Sequence, residues 1–165
     1  MPNSGLSLQM TGDWKKAAIL LKNLQTNLAP FMDGTLYEKG EFVLERLKEH
    51  IDRQDLMWTP LSQRTVQVKG DNRIYIETGY LRDNLVVRRL KSTVKGSTII
   101  IGASPWKTHK PSGEKMSDIM IWLEYGTQHI PPRPIIRPTF DEIKPLMEKE
   151  WGQALKDFIS KGGGL

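Results

Sequence analysis

The chain has 165 residues, 38% apolar and 26% charged, with no cysteine and a net charge of +5. Such a length fits one domain around one core, and the missing cysteines exclude disulfides, thiolate chemistry and cysteine-held zinc or iron–sulfur sites. No apolar run reaches the ~18 residues of a membrane span, the first residues lack the pattern of a secretory signal, and the positive balance suits either an acidic partner such as nucleic acid or a solvated basic surface.

Residues 1–10 are polar and Gly/Ser-containing and read as a loose arm. Thr11 is placed to cap a helix, with Asp13 in its first turn. Trp14, Ala17, Ala18, Leu21, Leu24 and Leu28 then recur at helical spacing as one apolar stripe, and Pro30 predicts the end. A second helix is expected over residues 34–53. Its buried face would be Tyr37, Val43, Leu44, Leu47 and Ile51, and its wet face Glu38, Glu41, Glu45, Lys48 and Glu49.

Pro60 prevents a helix through Trp58-Thr59-Pro60-Leu61-Ser62, while Ser62 can cap a turn running to Thr65. Trp58 reads as a plug at the edge of the core or as an exposed anchor for a partner. A turn at Lys69-Gly70-Asp71-Asn72 leads to Ile74 and Ile76 with strand alternation. Thr78 then predicts the cap of two helical turns reaching Leu85. Residues 85–91 and 98–102 form two expected strands, paired antiparallel across Lys95-Gly96. Val86, Arg88 and Leu90 would share one face, and Val87, Arg89 and Lys91 the other. Arg88 would then snorkel at the sheet edge or meet an acid across an interface.

Residues 103–116 form a long loop carrying Trp106, Lys107, His109, Lys110 and Lys115. Loops of this length often gain order from a partner. An aromatic among cations also suits contact with nucleic acid. Ile119, Trp122 and Leu123 predict a short helix ended by Gly126 after Tyr125. Pro131, Pro132, Pro134 and Pro138 then fix a stiff arm through Ile135, Ile136 and Arg137, expected against a sheet edge or another subunit. Thr139 and Glu142 have capping-box spacing for a last helix to about Ser160, kinked or started late at Pro145. Residues 161–165 are expected to be disordered. The expected fold is therefore α+β: a small antiparallel sheet packed with N-terminal and C-terminal helices, plus the proline arm and the long loop.

Catalytic patterns are weak. His50, His109 and His129 are widely spaced, with no metal-ligand spacing. Ser112 and Lys115 have S-x-x-K spacing in a polar loop, where a buried serine–lysine pair is not expected. We expect no enzyme activity, no cofactor and no metal.

Three stretches stand in a meaningful order. They are Trp58-Thr59-Pro60-Leu61-Ser62 with Thr65 and Lys69-Gly70, then Thr78-Gly79-Tyr80-Leu81-Arg82, then Glu124-Tyr125-Gly126-Thr127 with Ile130-Pro131-Pro132-Arg133-Pro134 and Pro138-Thr139-Phe140. Together they resemble the signature of phage tail-completion, or head–tail joining, proteins, over residues 12–140. The chain departs from that pattern at Asp83-Asn84, where a small hydroxylic residue is expected. The resemblance implies a structural virion protein in the neck or tail top of a tailed phage, assembled in the host cytoplasm. It implies a homo-oligomeric ring, of six subunits, stacked on tail-tube, terminator or head-connector proteins, with genomic DNA passing through. The residues expected at subunit or partner contacts are Trp58, Thr78, Gly79, Leu81, Arg82, Trp106, Tyr125, Arg133, Pro134, Ile135 and Ile136. The alternative reading is a small basic nucleic-acid-binding module using Arg88, Arg89, Lys91, Lys107 and Lys110.

Overall fold

A 40-residue helix, α1 (Trp14–Arg53), carries its core residues on its second half, at Val43, Leu44, Leu47 and Ile51. A computed structural model describes residues 12–93, 96–110 and 112–164. After α1 come α2 (Gln63–Lys69), α3 (Tyr80–Asp83), the hairpin strands β1 (Leu85–Thr93) and β2 (Gly96–Ala103), α4 (Met116–Tyr125) and α5 (Ile136–Ser160). The class is α+β: a two-stranded antiparallel sheet with the N- and C-terminal helices packed on it. Among the described residues, no helix is long and apolar enough to cross a membrane.

Pro30 does not end α1; the two helices expected from sequence are one. Proline removes a single backbone N–H, and Pro30 is exposed, so the unpaired carbonyl one turn earlier faces solvent. Contacts on both sides hold the helix through it. Phe31 stacks on Phe158 of α5 at 4.3 Å, and the Asn27 side chain donates to the Gly163 carbonyl at 2.7 Å. Asp13, not Thr11, is the cap and accepts from the Lys16 N–H at 3.2 Å. Thr11 and the expected N-terminal arm lie outside the described residues.

A two-stranded sheet is not stable alone and needs a covering layer. Here α1 supplies it, and Gly40 is where the helix lies closest. A Cβ at Gly40 would sit 2.5 Å from Ile99 Cδ1 and 2.9 Å from Val87 Cγ1. Leu85 and Val87 of β1 point into the core with Val43, Leu44, Leu47 and Ile51 of α1. Val87 faces Ile101 and Arg88 faces Ile100; a register shift between Arg89 and Lys91 leaves Leu90 exposed.

Four other expectations change. Residues 74–76 form no strand. Tyr75 has φ 65°, and this left-handed step breaks the alternation, so that Ile74, Tyr75 and Ile76 are all buried. The helix after Thr78 is one turn, because Leu85 is already the first residue of β1. The loop at residues 103–116 is built on its own bonds. Thr108 bridges Lys115, the His109 N–H donates to Glu114 O at 2.7 Å, and the Met116 N–H to Lys107 O at 3.0 Å. Finally, residues 161–164 are ordered. Gly163, at φ 69°, turns the chain back onto α1, where a Cβ would lie 3.0 Å from the Leu24 backbone nitrogen.

Candidate functional site

The proline strut packs against its own subunit, where the first and third of the stretches singled out in the sequence meet. Gly126 makes the turn into it, with φ 79° and ψ 175°; a Cβ there would lie 2.9 Å from the Ile130 carbonyl. The Arg133 N–H donates to Leu123 O at 2.6 Å. Its guanidinium is buried and donates to two carbonyls, Thr59 O at 2.8 Å and Pro60 O at 3.1 Å. Trp58 Nε1 donates to Pro134 O, and the Tyr75 hydroxyl to Arg133 O, both at 2.6 Å. Burial lowers the Arg133 pKa and raises that of Tyr75, the latter with help from nearby Glu124.

The strut ends on Glu124. This buried carboxylate of α4 accepts the backbone N–H groups of Ile135 (2.7 Å), Ile136 (3.0 Å) and Arg137 (3.0 Å), which open α5. A negative group there satisfies donors that a helix start leaves unpaired, and it meets the positive end of the helix dipole. The expected Thr139–Glu142 box is replaced. The Thr139 hydroxyl is buried and donates to Ile135 O at 2.6 Å, and Glu142 turns to α1, pairing with Arg46 and His50.

These bonds correct the expected arm. Arg133 and Ile135, nominated for contact with a neighbour, are buried in their own subunit, as is Leu81. Trp58, Pro134 and Ile136 are half-buried, and Trp58 lies tilted against Tyr75 at 5.2 Å, so it is the core plug. Arg82 forks onto Asp52 with two bonds of 2.7 and 2.5 Å, so its cation is met within the chain. Gly79, at φ 77°, makes the turn before α3. Of the nominated contact residues, Thr78, Trp106 and Tyr125 remain exposed, the last two at 65% and 75%.

The nominated cations divide between the sheet's two faces. The Arg88 guanidinium lies 4.3 Å over the Trp106 ring. Arg89, on the α1 side, lies 4.5 Å over Tyr37 and reaches Asp33 at 3.3 Å. Lys107 binds the Asn84 side chain, and Lys91 and Lys110 are exposed.

Sequence reasoning missed two surfaces. The first is a groove of about 670 Å³ between β2, α4 and the start of α5, walled by Ile101, Ile121, Tyr125, Ile136 and Phe140. The second is the open part of the apolar stripe of α1, Trp14, Leu21 and Leu28, which are 53%, 66% and 41% exposed. The end of α5 and the turn after it cover the neighbouring Phe31 and Leu24. It also missed His50, which is buried with Nδ1 2.6 Å from Asp55 and Nε2 3.1 Å from Glu142. Those partners lie 5 and 92 residues away, a pairing that no local spacing signals. Among the described residues, no His, Cys, Asp and Glu side chains cluster so as to hold a metal ion. Compared with protein-family models, curated proteins and solved structures, the chain matches none.

Proposed function

We propose that the protein is a structural subunit of the neck or tail top of a tailed phage, completing the tail and joining it to the head as a member of a ring. The observation that carries this reading is the convergence of the first and third resembling stretches, with Leu81 of the second in the same core. Trp58 meets Pro134, Arg133 meets Thr59 and Pro60, and Glu124 starts the helix that follows Pro134. Residues more than 70 positions apart thus make one knot, as a family signature that encodes a fold would. Exposed apolar groups at Trp14, Leu21, Ile121 and Tyr125 support a chain meant for assembly, because large exposed apolar patches mark contact surfaces.

The test is mass measurement and electron microscopy of the purified protein, alone and mixed with tail-tube protein of the same phage. Rings on tube ends support the reading. A monomer that joins neither tubes nor particles contradicts it.

A second reading has one observation in its favour. Trp106 and Arg88 stack at the surface near Lys107 and Lys110, a composition suited to single-stranded nucleic acid. Binding of this kind weakens with salt, with a log–log slope of roughly −0.7 per phosphate neutralised on a single strand. No binding at low salt removes it.

A further inference from the structure

We infer that the N-terminal half of α1 docks into the α4–α5 groove of a second copy of this chain, and that this contact links subunits head to tail. The inference rests on the ring reading above and names the surfaces that would build the ring.

The donor surface is a helix edge. Trp14, Leu21 and Leu28 lie seven residues apart, so they share one line along α1. With a rise of 1.5 Å per residue that line is about 21 Å long. Leu24 and Phe31, which complete a heptad pattern with them, are covered by the chain's own C-terminal segment. Half of a coiled-coil-like seam is therefore filled within the subunit, and half is open.

The receiving surface is the groove walled by Ile121, Tyr125, Ile136 and Phe140. It also lies beside β2, an edge strand of a two-stranded sheet. The two surfaces sit at opposite ends of α5. Its first residues, Ile136 and Phe140, frame the groove, and its last turn, at Phe158, holds the α1 segment that bears the stripe. At 1.5 Å per residue, Phe140 and Phe158 are about 27 Å apart along α5. A single copy cannot bring one against the other without unfolding α1, so the fit is between copies. Two different patches on one subunit make a heterologous contact, the kind that closes a ring.

Charge selects this occupant. From Trp14 to Phe31, α1 carries Lys15, Lys16 and Lys22 and no carboxylate. Lys15 and Lys22 directly follow Trp14 and Leu21, so they run along one side of the stripe. In α4 the charged residues are Asp118 and Glu124, with no cation; Glu124 is held by the N–H groups that open α5, so the acids left to a partner are Asp118 and, on the groove lining, Asp141. Arg137 is the one cation lining the groove. A basic-flanked apolar helix entering an acid-flanked apolar groove is complementary in both respects.

The absence of native cysteine makes the test clean. Leu21→Cys, Tyr125→Cys and the double variant are oxidised mildly and run on non-reducing gels, with wild-type association followed by light scattering. We expect a ladder of covalent oligomers from the double variant and a heterodimer from the two single variants mixed. Each single variant alone should stay monomeric on the gel. Leu21→Glu should keep the wild-type melting temperature and weaken self-association by about tenfold or more, the value of one buried leucine. Self-linking of Leu21→Cys as strong as the mixture would mean that α1 pairs with α1, and would overturn the inference. So would a wild type that associates while the double variant gives no ladder. That outcome leaves the ring reading standing. A protein that stays monomeric alone and with tail-tube protein brings down both.

Discussion

The Glu124 carboxylate caps a helix to which it does not belong: it lies in α4 and accepts the Ile135 N–H at 2.7 Å as α5 begins. Two further N–H groups share the same carboxylate. One side chain thereby fixes the angle between α4, the proline strut and α5. Proline stiffness sets the strut's shape, and Glu124 sets where it ends.

Replacing Glu124 should therefore destabilise the whole fold. Hydrogen bonds to a charged group contribute about 1.5–3 kcal/mol each in net terms, and they are not additive. Glu124→Ala should lower unfolding free energy by at least one such bond in urea titration. Glu124→Gln keeps one acceptor oxygen and should lose less. Equal losses for the two variants would mean that the charge and its fork carry the whole effect.

Arg133 makes a second prediction about the strut. Its guanidinium reaches two carbonyls with separate nitrogens, a geometry that lysine cannot copy. Arg133→Lys should cost about 1–3 kcal/mol by leaving one carbonyl unmet. Trp58→Phe should cost about 0.5–1.5 kcal/mol for the lost bond to Pro134. A neutral Arg133→Lys in the same titration would show that burial of the stem matters more than the fork.

Two glycines of α1 should respond in opposite directions. Gly34 has open space around its Cβ position, so Gly34→Ala should stabilise by about 0.5–1 kcal/mol through helix propensity. Gly40 meets Val87 and Ile99 at less than 3 Å, so Gly40→Ala overpacks the helix–sheet contact and should cost about 1–3 kcal/mol. Thermal melts of the two variants check both signs.

Where a residue's partners lie decides how much of its role shows in the sequence. Local signals were legible: the Ser62 cap, the antiparallel hairpin, the Gly126 stop and the Val43–Ile51 face of α1 all stand where their spacing placed them. The misses share one cause, a distant partner overriding a local rule. Pro30 reads as a break until Phe31 meets Phe158. Thr139 and Glu142 read as a capping box until Glu124 arrives from α4. The stripe of Trp14, Leu21 and Leu28 is legible as an apolar face, but periodicity does not show whether anything in the same chain covers it.

Acid should destabilise the protein over a defined window. The hydrogen bonds from Arg82 hold the Asp52 carboxyl below its usual range, and the Arg73 side chain and N–H bring Asp71 down to about 2. A folded-state value below the unfolded value of about 3.9 gives stability that is complete above that pH. It is lost as pH falls through the folded value, at about 2 for Asp71. Urea midpoints should thus fall between pH about 4 and about 2, and Asp52→Asn should flatten that slope. An unchanged slope would place the acid sensitivity elsewhere.

The most direct measurement for the assembly account is electron microscopy of this protein mixed with tail tubes, with native mass spectrometry of the same sample. The account predicts closed rings seated on tube ends, with masses at whole multiples of the 18.9 kDa chain. Bare tubes beside a monomer that remains at one chain mass would contradict it.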